Sequence, residues 1–156
     1  MIRKTIYTAR TQDVLSNGVK AIDARFEIRR SKPGMGQGLF AATRIKKGEF
    51  ILEYTGKKIS TAVADTMEKA RYLFEIDKNW TIDGSSRSNT ARYINHSCDP
   101  NTEAGIENGY IMIHAVRNIK KGEELTIDYD TEYFDEFIRP VGCKCVKCSL
   151  QLGVES

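Results

Sequence analysis

Three of the four cysteines of the chain stand close together near its C-terminus, in the stretch GCKCVKC. Cys143, Cys145 and Cys148 are so close in sequence that they suit a metal ion better than a network of disulfides. Zinc is often held by four thiolates in a tetrahedron, and this stretch supplies three of them. Cys98 is the remaining cysteine, and as the fourth ligand it would attach the C-terminal tail to the turn around NHSC.

The same residues allow other interpretations. The clustered thiols could bind nothing, although exposed thiols packed so tightly are prone to unwanted reactions. Cys98 could be a nucleophile in a thiol hydrolase with His96 as its base, but such pairs usually come from distant segments of a chain. His96 could also be a hydrogen-bonded structural histidine, and Asn95 a simple turn residue.

The length and composition of the chain indicate one globular domain. A chain of 156 residues can bury about 68–70% of its unfolded surface. Its net charge of +3 is no signature of nucleic-acid binding, but it is compatible with a basic peptide bound to a local acidic patch. No window approaches the roughly 20 apolar residues of a membrane span.

The N-terminal sequence MIRKTIYTARTQDVL has no apolar core and no small-residue cleavage site, so it does not look like a signal peptide. We therefore expect an intracellular protein with reduced cysteines and without direct nucleic-acid or membrane partners.

Short β-strands dominate the predicted secondary structure. Alternating or apolar runs bounded by turn residues predict strands in FEIRR, in the segment after the PGMGQG turn, and in GEFILEYTG, YLFEID, WTIDG, GYIMIHAV and EELTIDYD. One short helix is predicted in STAVADTMEKARYLF, with Ser60 as its N-cap and with Val63, Met67 and Ala70 at helical spacing. The pattern favours a mainly β fold with few short helices.

Two segments of the chain resemble each other. Residues 44–54 read RIKKGEFILEY and residues 118–129 read NIKKGEELTIDY. Each contains Ile-Lys-Lys-Gly-Glu, then a strand that ends in an acidic residue and a tyrosine. The two segments could simply be similar hairpin turns, or they could bring Tyr54 and Tyr129 to the same place.

A glycine-rich turn precedes the second predicted strand. Gly34, Gly36 and Gly38 have the spacing G-x-G-x-G, which differs from the dinucleotide-binding pattern G-x-G-x-x-G. A strand rather than a helix follows, so the turn offers no helix N-terminus to a phosphate. The glycines either allow a ligand to approach the backbone closely or satisfy turns with positive φ.

Taken in order, these motifs resemble the SET domain, the fold of a class of protein-lysine methyltransferases. They are GMGQG (34–38), EYTG (53–56), YLFEID (72–77), ARYINHSCDPN (91–101), GEELTIDYD (122–130) and CKCVKC (143–148). The resemblance covers roughly residues 26–150. It implies a mainly β fold of short sheets with a pseudoknot, in which the NHSC segment passes under the loop before the ELTIDY strand.

The resemblance also divides the chain into three parts. Residues 1–25 would form an N-terminal arm or first strand, residues 26–135 the SET domain, and residues 136–156 a post-SET zinc-binding tail.

The activity implied by the resemblance is methyl transfer from S-adenosylmethionine to the side-chain amine of a protein lysine, with a histone tail as the leading substrate class. Tyr129 would be the catalytic tyrosine, and Tyr54 would line the lysine channel. The residues expected to bind the methyl donor are Met35, Gly36, Gln37, Tyr72, Asn95 and His96. One structural zinc ion would be bound by Cys98, Cys143, Cys145 and Cys148.

Several points stay open at this stage. A catalytically inactive SET module that binds a partner protein is the alternative function. SET domains usually carry phenylalanine or tyrosine before Asp128-Tyr129, whereas this chain has Ile127, so the number of methyl groups added is not predicted. The resemblance places the protein in the nucleus if it is eukaryotic or acts on host chromatin, and in the cytoplasm if it is bacterial.

Overall fold

The computed structural model describes residues 23–152, so nearly all of the predicted N-terminal arm lies outside the described residues. Within this range the strands are β1 (Phe26–Arg30), β2 (Gln37–Ala41), β3 (Phe50–Tyr54), β4 (Lys57–Ser60), β5 (Leu73–Glu75), β6 (Trp80–Asp83), β7 (Asn95–His96), β8 (Thr102–Glu107), β9 (Tyr110–Ala115) and β10 (Thr126–Ile127). The expectation of a mainly β fold is confirmed.

The helical segments are short. They are α1 (Thr61–Ala64), a 3₁₀ turn (Thr90–Tyr93), α2 (Thr131–Tyr133), a π turn (Phe134–Ile138), a second 3₁₀ turn (Arg139–Val141) and α3 (Val146–Leu152). No helix among the described residues combines the length and the apolar character that crossing a membrane requires.

The strands form three sheets. The first pairs β1 with β2, the second has the order β3-β9-β8-β10-β7, and the third has the order β4-β6-β5. All pairs are antiparallel except those of β10, which runs parallel to both β7 and β8. Parallel neighbours need a long connection between them, and here the chain makes the β8–β9 hairpin before it returns. The NHSC segment and the ELTIDY segment therefore lie side by side.

A core of aliphatic side chains lies between the first two sheets. Its fully buried members come from strands and turns across the whole described chain, namely Leu39, Ile45, Ile51, Ile113, Ile119 and Leu125. Burial of a side chain of this size stabilises the fold by about 1.5–3 kcal/mol, so these residues hold the sheets in register.

The predicted helix after Ser60 is much shorter than its sequence pattern suggests. Ser60 is its N-cap as expected, and its Oγ accepts a hydrogen bond from the Val63 N–H at 3.3 Å. The helix ends at Ala64, and the predicted apolar face is wrong, because Val63 is 53% exposed and Met67 39% exposed. The Thr66 hydroxyl donates back to the Val63 carbonyl at 2.7 Å and so competes with helix continuation.

Three strands, β4, β7 and β8, were missed by the sequence pattern, and one is shorter than predicted. The strands β4, with sequence KKIS, and β8, with sequence TEAGIE, show little apolar alternation, but β6 and β9 pair with them along their full lengths. In EELTIDYD only Thr126 and Ile127 form a strand, because pairing with both neighbours is limited to these two residues.

Candidate functional site

Two cavities meet at one wall of the protein. The larger has a volume of about 710 Å³ and the smaller about 400 Å³, both in the range of ligand-binding pockets. Six residues line both cavities and therefore form the shared wall: Arg71, Tyr72, Arg92, His96, Tyr129 and Tyr133. Ligands in the two cavities would contact the same side chains.

Tyr54 and Tyr129 both line the larger cavity. The Tyr129 hydroxyl donates a hydrogen bond to the Ile94 carbonyl at 2.6 Å, and the Tyr54 hydroxyl donates to the Tyr72 carbonyl at 2.8 Å. Burial is the main cause that raises the pKa of both hydroxyls above the usual value for tyrosine. Both side chains therefore stay protonated at neutral pH and present fixed, uncharged phenols to the cavity.

The ring of Tyr54 is held in a slot that only glycine permits at position 84. A Cβ atom on Gly84 would lie 2.3 Å from the Tyr54 ring and 2.5 Å from Nδ2 of Asn89. Asn89 is fully buried, where it donates to the Gly84 carbonyl and accepts from the Thr55 N–H. Sequence reasoning missed both Gly84 and Asn89, since neither belongs to a recognisable motif.

The smaller cavity collects every residue that was predicted to bind the methyl donor: Met35, Gly36, Gln37, Tyr72, Asn95 and His96. Gly36 has φ +70°, a left-handed conformation that favours glycine, so the turn can bring its backbone to the edge of the cavity. Asn95 donates from Nδ2 to the Gln37 carbonyl at 3.0 Å and to Oε1 of Glu124 at 2.8 Å. These bonds tie β7 to the start of β2, directly after the glycine turn, and to the segment before β10.

His96 is buried, with 6% of its surface exposed, and both of its ring nitrogens have partners. Nδ1 accepts a hydrogen bond from the Tyr129 backbone N–H at 3.0 Å, and Nε2 lies 3.3 Å from Sγ of Cys98. Burial lowers the pKa of His96, and the nearby Asp128 carboxylate acts in the opposite direction with a smaller effect. A ligand in either cavity can therefore contact the ring face or backbone of His96, but not a free ring nitrogen.

The four cysteines come together as the sequence predicts. Their Sγ atoms all lie within 4.8 Å of one another, and Cys98 is 3.8 Å from Cys143 and 3.7 Å from Cys148. A tetrahedral zinc ion with Zn–S bonds of about 2.3 Å separates neighbouring sulfurs by about 3.8 Å. The cluster could hold a metal ion, and its chemistry fits zinc. Cys143 and Cys145 also line the smaller cavity, so the cluster forms part of that wall.

Arg92 is a residue of the shared wall that sequence reasoning missed. Its guanidinium carbon lies 4.3 Å from the centre of the Tyr72 ring, and Nη1 donates to the Ser85 carbonyl. Its Nε–H is buried and has no hydrogen-bond partner among the described residues. A buried donor without a partner is costly, and the positive charge of the guanidinium lies where Arg92 lines both cavities. Its place within the motif ARYINHSCDPN (91–101) was the available signal.

The two cavities differ in charge. Five acidic residues line the larger cavity, against three arginines: the acids are Glu75, Glu103, Asp128, Asp130 and Asp135. The smaller cavity is lined by Arg71, Arg92 and Lys144, and no acidic residue of the described chain lines it. In a chain of net charge +3, the larger cavity is a local acidic region suited to a cation, and the smaller suits an anion.

Comparison with known proteins shows the family of the chain. Residues 36–130 match the family described as SET domain. The chain is 38% identical over 129 residues to the histone-lysine N-methyltransferase trithorax of Drosophila virilis. The aligned segment covers 76% of this chain and 3% of that protein. It is 40% identical over 134 residues to the histone-lysine N-methyltransferase ASHH3 of Arabidopsis thaliana, covering 77% of this chain and 36% of that protein.

A third relative is the "Histone-lysine N-methyltransferase, H3 lysine-4 specific" of Saccharomyces cerevisiae. It is 39% identical over 125 residues, covering 71% of this chain and 12% of that protein. The chain therefore spans only a small part of the length of these relatives, about a third at most.

Proposed function

Since the chain belongs to the SET-domain family, we propose that it is a protein-lysine N-methyltransferase, which transfers a methyl group from S-adenosylmethionine to a lysine side chain. The observation that carries this proposal is the wall shared by the two cavities, in which Tyr129 stands. A donor in the smaller cavity and a lysine in the larger one would meet there. The names of the relatives support the same reaction in this chain.

We assign the methyl donor to the smaller cavity. Its three basic residues suit the carboxylate of the amino-acid portion of S-adenosylmethionine. The turn of Met35, Gly36 and Gln37, held by Asn95, would contact the donor through its backbone. When bound, the donor supplies a methyl group on a sulfonium sulfur, and the lysine nitrogen forms the new N–C bond as the S–C bond breaks.

We assign the lysine side chain to the larger cavity, between Tyr54 and Tyr129. A free lysine has a pKa of about 10.4, so only about one in a thousand is neutral and nucleophilic near neutral pH. Between the uncharged phenols of Tyr54 and Tyr129, the positive sulfonium of the bound donor would favour the neutral amine. Tyr129 orients rather than deprotonates the amine, because its raised pKa keeps the phenol protonated. Correct placement of the two reactants can supply several kcal/mol of the barrier.

The acidic lining of the larger cavity supports a basic protein segment as the substrate. Asp128, Asp130 and Asp135 line the larger cavity together with Tyr129 and lie close to it in sequence. Lysine or arginine residues on either side of the target lysine would be attracted to this region. A histone tail has this character and is therefore the leading substrate class, which would require access of the protein to chromatin.

We further propose that the cysteine cluster binds one structural zinc ion. All four protein ligands are thiols, so no coordination position remains for a water or substrate, as is usual in structural sites. In this proposal residues 26–135 form the SET domain, and residues 136–156 form a post-SET tail that zinc holds against Cys98.

The first test is a calorimetric titration of the zinc-loaded protein with S-adenosylmethionine. Asn95→Ala removes the bonds to Gln37 and Glu124, so we expect it to weaken binding. Asn79→Ala is the matched control, because Asn79 is exposed and lies outside both cavities.

The second test is mass spectrometry of a histone-tail peptide incubated with the protein and the donor, which detects methyl groups on lysine. A folded protein that binds no donor and transfers no methyl group would favour the inactive module.

A further inference from the structure

One side chain connects the cysteine cluster to Tyr129. His96 lies 3.3 Å from Sγ of Cys98 through Nε2, and its Nδ1 accepts the Tyr129 backbone N–H at 3.0 Å. The aromatic rings of Tyr129 and Phe134 pack against the imidazole, with centroid distances of 5.3 Å and 5.4 Å. The imidazole is therefore enclosed between the metal-binding candidates and the tyrosine of the shared wall.

The hydrogen bonds determine where the proton of the imidazole lies. A proton on Nδ1 would point at the hydrogen of the Tyr129 N–H, and the Asp128 carboxylate, at 3.6 Å, is beyond hydrogen-bond distance. Nδ1 is therefore the accepting, unprotonated nitrogen. In a neutral imidazole the proton is then on Nε2, which faces the sulfur of Cys98. Second-sphere hydrogen bonds of this kind orient metal ligands and tune the affinity of the site.

The backbone of Tyr129 has little other support from the neighbouring strand. The parallel pairing of β10 with β7 ends at Ile127, whose carbonyl accepts the Ser97 N–H at 3.0 Å. Tyr129 lies two residues beyond this point, where the His96 ring takes the place of a strand partner. The other ring nitrogen, Nε2, faces the sulfur of Cys98.

We propose that His96 is a positioning residue through which metal binding at the cysteine cluster fixes the backbone of Tyr129. A metal ion bound by Cys98 holds its sulfur in place, the sulfur orients the imidazole, and the imidazole holds the Tyr129 N–H. The tail and its metal then act on the chemistry of the site as well as on its wall. The importance of this link for catalysis rests on the proposed function of Tyr129, but the link itself does not.

The test uses the full chain, with and without zinc, and measures hydrogen exchange of the Tyr129 amide together with zinc affinity by competition with a chromophoric chelator. In the parent protein, removal of zinc should speed the exchange of the Tyr129 amide. In His96→Leu, exchange should already be fast and insensitive to zinc, and zinc affinity should fall by about 10- to 100-fold. His114→Leu, which changes the other histidine of the chain, should behave like the parent.

Two further variants separate the contacts of His96 even if His96→Leu does not fold. The side-chain oxygen of asparagine can take the place of Nδ1 and accept the Tyr129 N–H, but the side chain does not reach Cys98. His96→Asn should therefore keep slow exchange at Tyr129 but lose zinc affinity. A glutamine amide reaches the position of Nε2, so His96→Gln should keep zinc affinity but show fast exchange. If His96 only fills space, each of the two substitutions should change both the exchange rate of the Tyr129 amide and the zinc affinity.

The proposal is overturned if zinc removal changes exchange at Tyr129 equally in the parent and in the His96 variants, or if the asparagine and glutamine variants do not separate the two properties. Neither readout requires methyl transfer. A protein that shows the coupling but no transferase activity would retain this inference and lose the proposed function. An active protein without the coupling would retain the proposed function and lose this inference.

Discussion

Ile45 and Ile119 exchange both of their backbone hydrogen bonds, each N–H donating to the carbonyl of the other at 2.9 Å. Both side chains are fully buried. Each isoleucine begins one copy of the repeated sequence Ile-Lys-Lys-Gly-Glu. The two similar segments therefore pair directly with each other, rather than lying as separate hairpins.

The two copies also form the same turn. In each, the glutamate accepts a hydrogen bond from the backbone N–H of the first lysine, at 3.0 Å for Glu49 and 2.7 Å for Glu123. The glycine before each glutamate has a positive φ. The strands that follow deliver Tyr54 and Tyr129 to the larger cavity, so the repeat places two tyrosines at one site.

Ile119→Ala should destabilise the fold by about 2–5 kcal/mol, because it leaves a cavity at the pairing of the two turns. Ile106→Ala is the matched control. Ile106 is 45% exposed near the tip of the β8–β9 hairpin, so its loss should change stability by less than about 1 kcal/mol. Urea denaturation followed by circular dichroism measures both values. Similar losses for the two variants would contradict the central role of the pairing.

Tyr129→Phe should leave the affinity for S-adenosylmethionine nearly unchanged and lower turnover by roughly 10²-fold, since it removes the hydroxyl bonded to Ile94 and with it the alignment of the site. Tyr110→Phe, at an exposed tyrosine, is the control and should have parent activity.

The pH dependence gives a second check on Tyr129. Burial raises its pKa, so the phenol keeps its proton through neutral and mildly alkaline pH. The rise of turnover with pH should therefore follow the substrate lysine and have the same shape in the parent and in Tyr129→Phe. A rise that disappears in the variant would mean that Tyr129 acts as a base.

Gly84→Ala should disturb the ring of Tyr54, because the added methyl group would lie 2.3 Å from it. We expect a raised KM for the peptide, a lowered turnover and little change in donor affinity. Gly105→Ala adds the same methyl group in β8, where nothing lies within 4 Å, and should be close to neutral. The measurement is the KM and turnover of both variants. Equal values would show that the Tyr54 ring can shift to accept the added methyl group without loss of function.

Removal of the metal should loosen the C-terminal tail and reduce donor binding, since Cys143 and Cys145 line the smaller cavity. Elemental analysis should find one zinc ion per chain in the parent. Cys145→Ser, which changes the most buried thiol of the cluster, should lower the zinc content and the melting temperature. Leu150→Ala, at an exposed side chain in α3, should change neither. Full donor affinity in a verified zinc-free sample would show that donor binding does not depend on the metal.

Much of this protein was predictable because local chemistry determines it. Strand alternation predicted β1, whose pattern FEIRR matches its bounds, and the number and spacing of cysteines predicted that Cys98 would meet the C-terminal cluster. The resemblance of the motifs to the SET domain, rather than local chemistry, implied which residues would gather at the smaller cavity. These features depend on residue type and on short-range order, both of which are visible in a single sequence.

Other features depend on contacts between segments that are distant in sequence. The strands β4 and β8 exist because of their partners, and α1 ends early because local hydrogen bonding outweighs its apolar spacing. The slot made by Gly84 and the acidic lining of the larger cavity likewise need several segments to meet.

His96 shows most clearly what the sequence determines and what only the tertiary structure decides. The sequence determined that a histidine stands two residues from a cysteine, but it could not distinguish a base, a structural histidine or a donor-binding residue. Only the tertiary structure, by placing the Tyr129 N–H against Nδ1, decided which atoms its two nitrogens contact. The reason is physical: the role of an imidazole depends on which nitrogen carries the proton, and that depends on its neighbours in space.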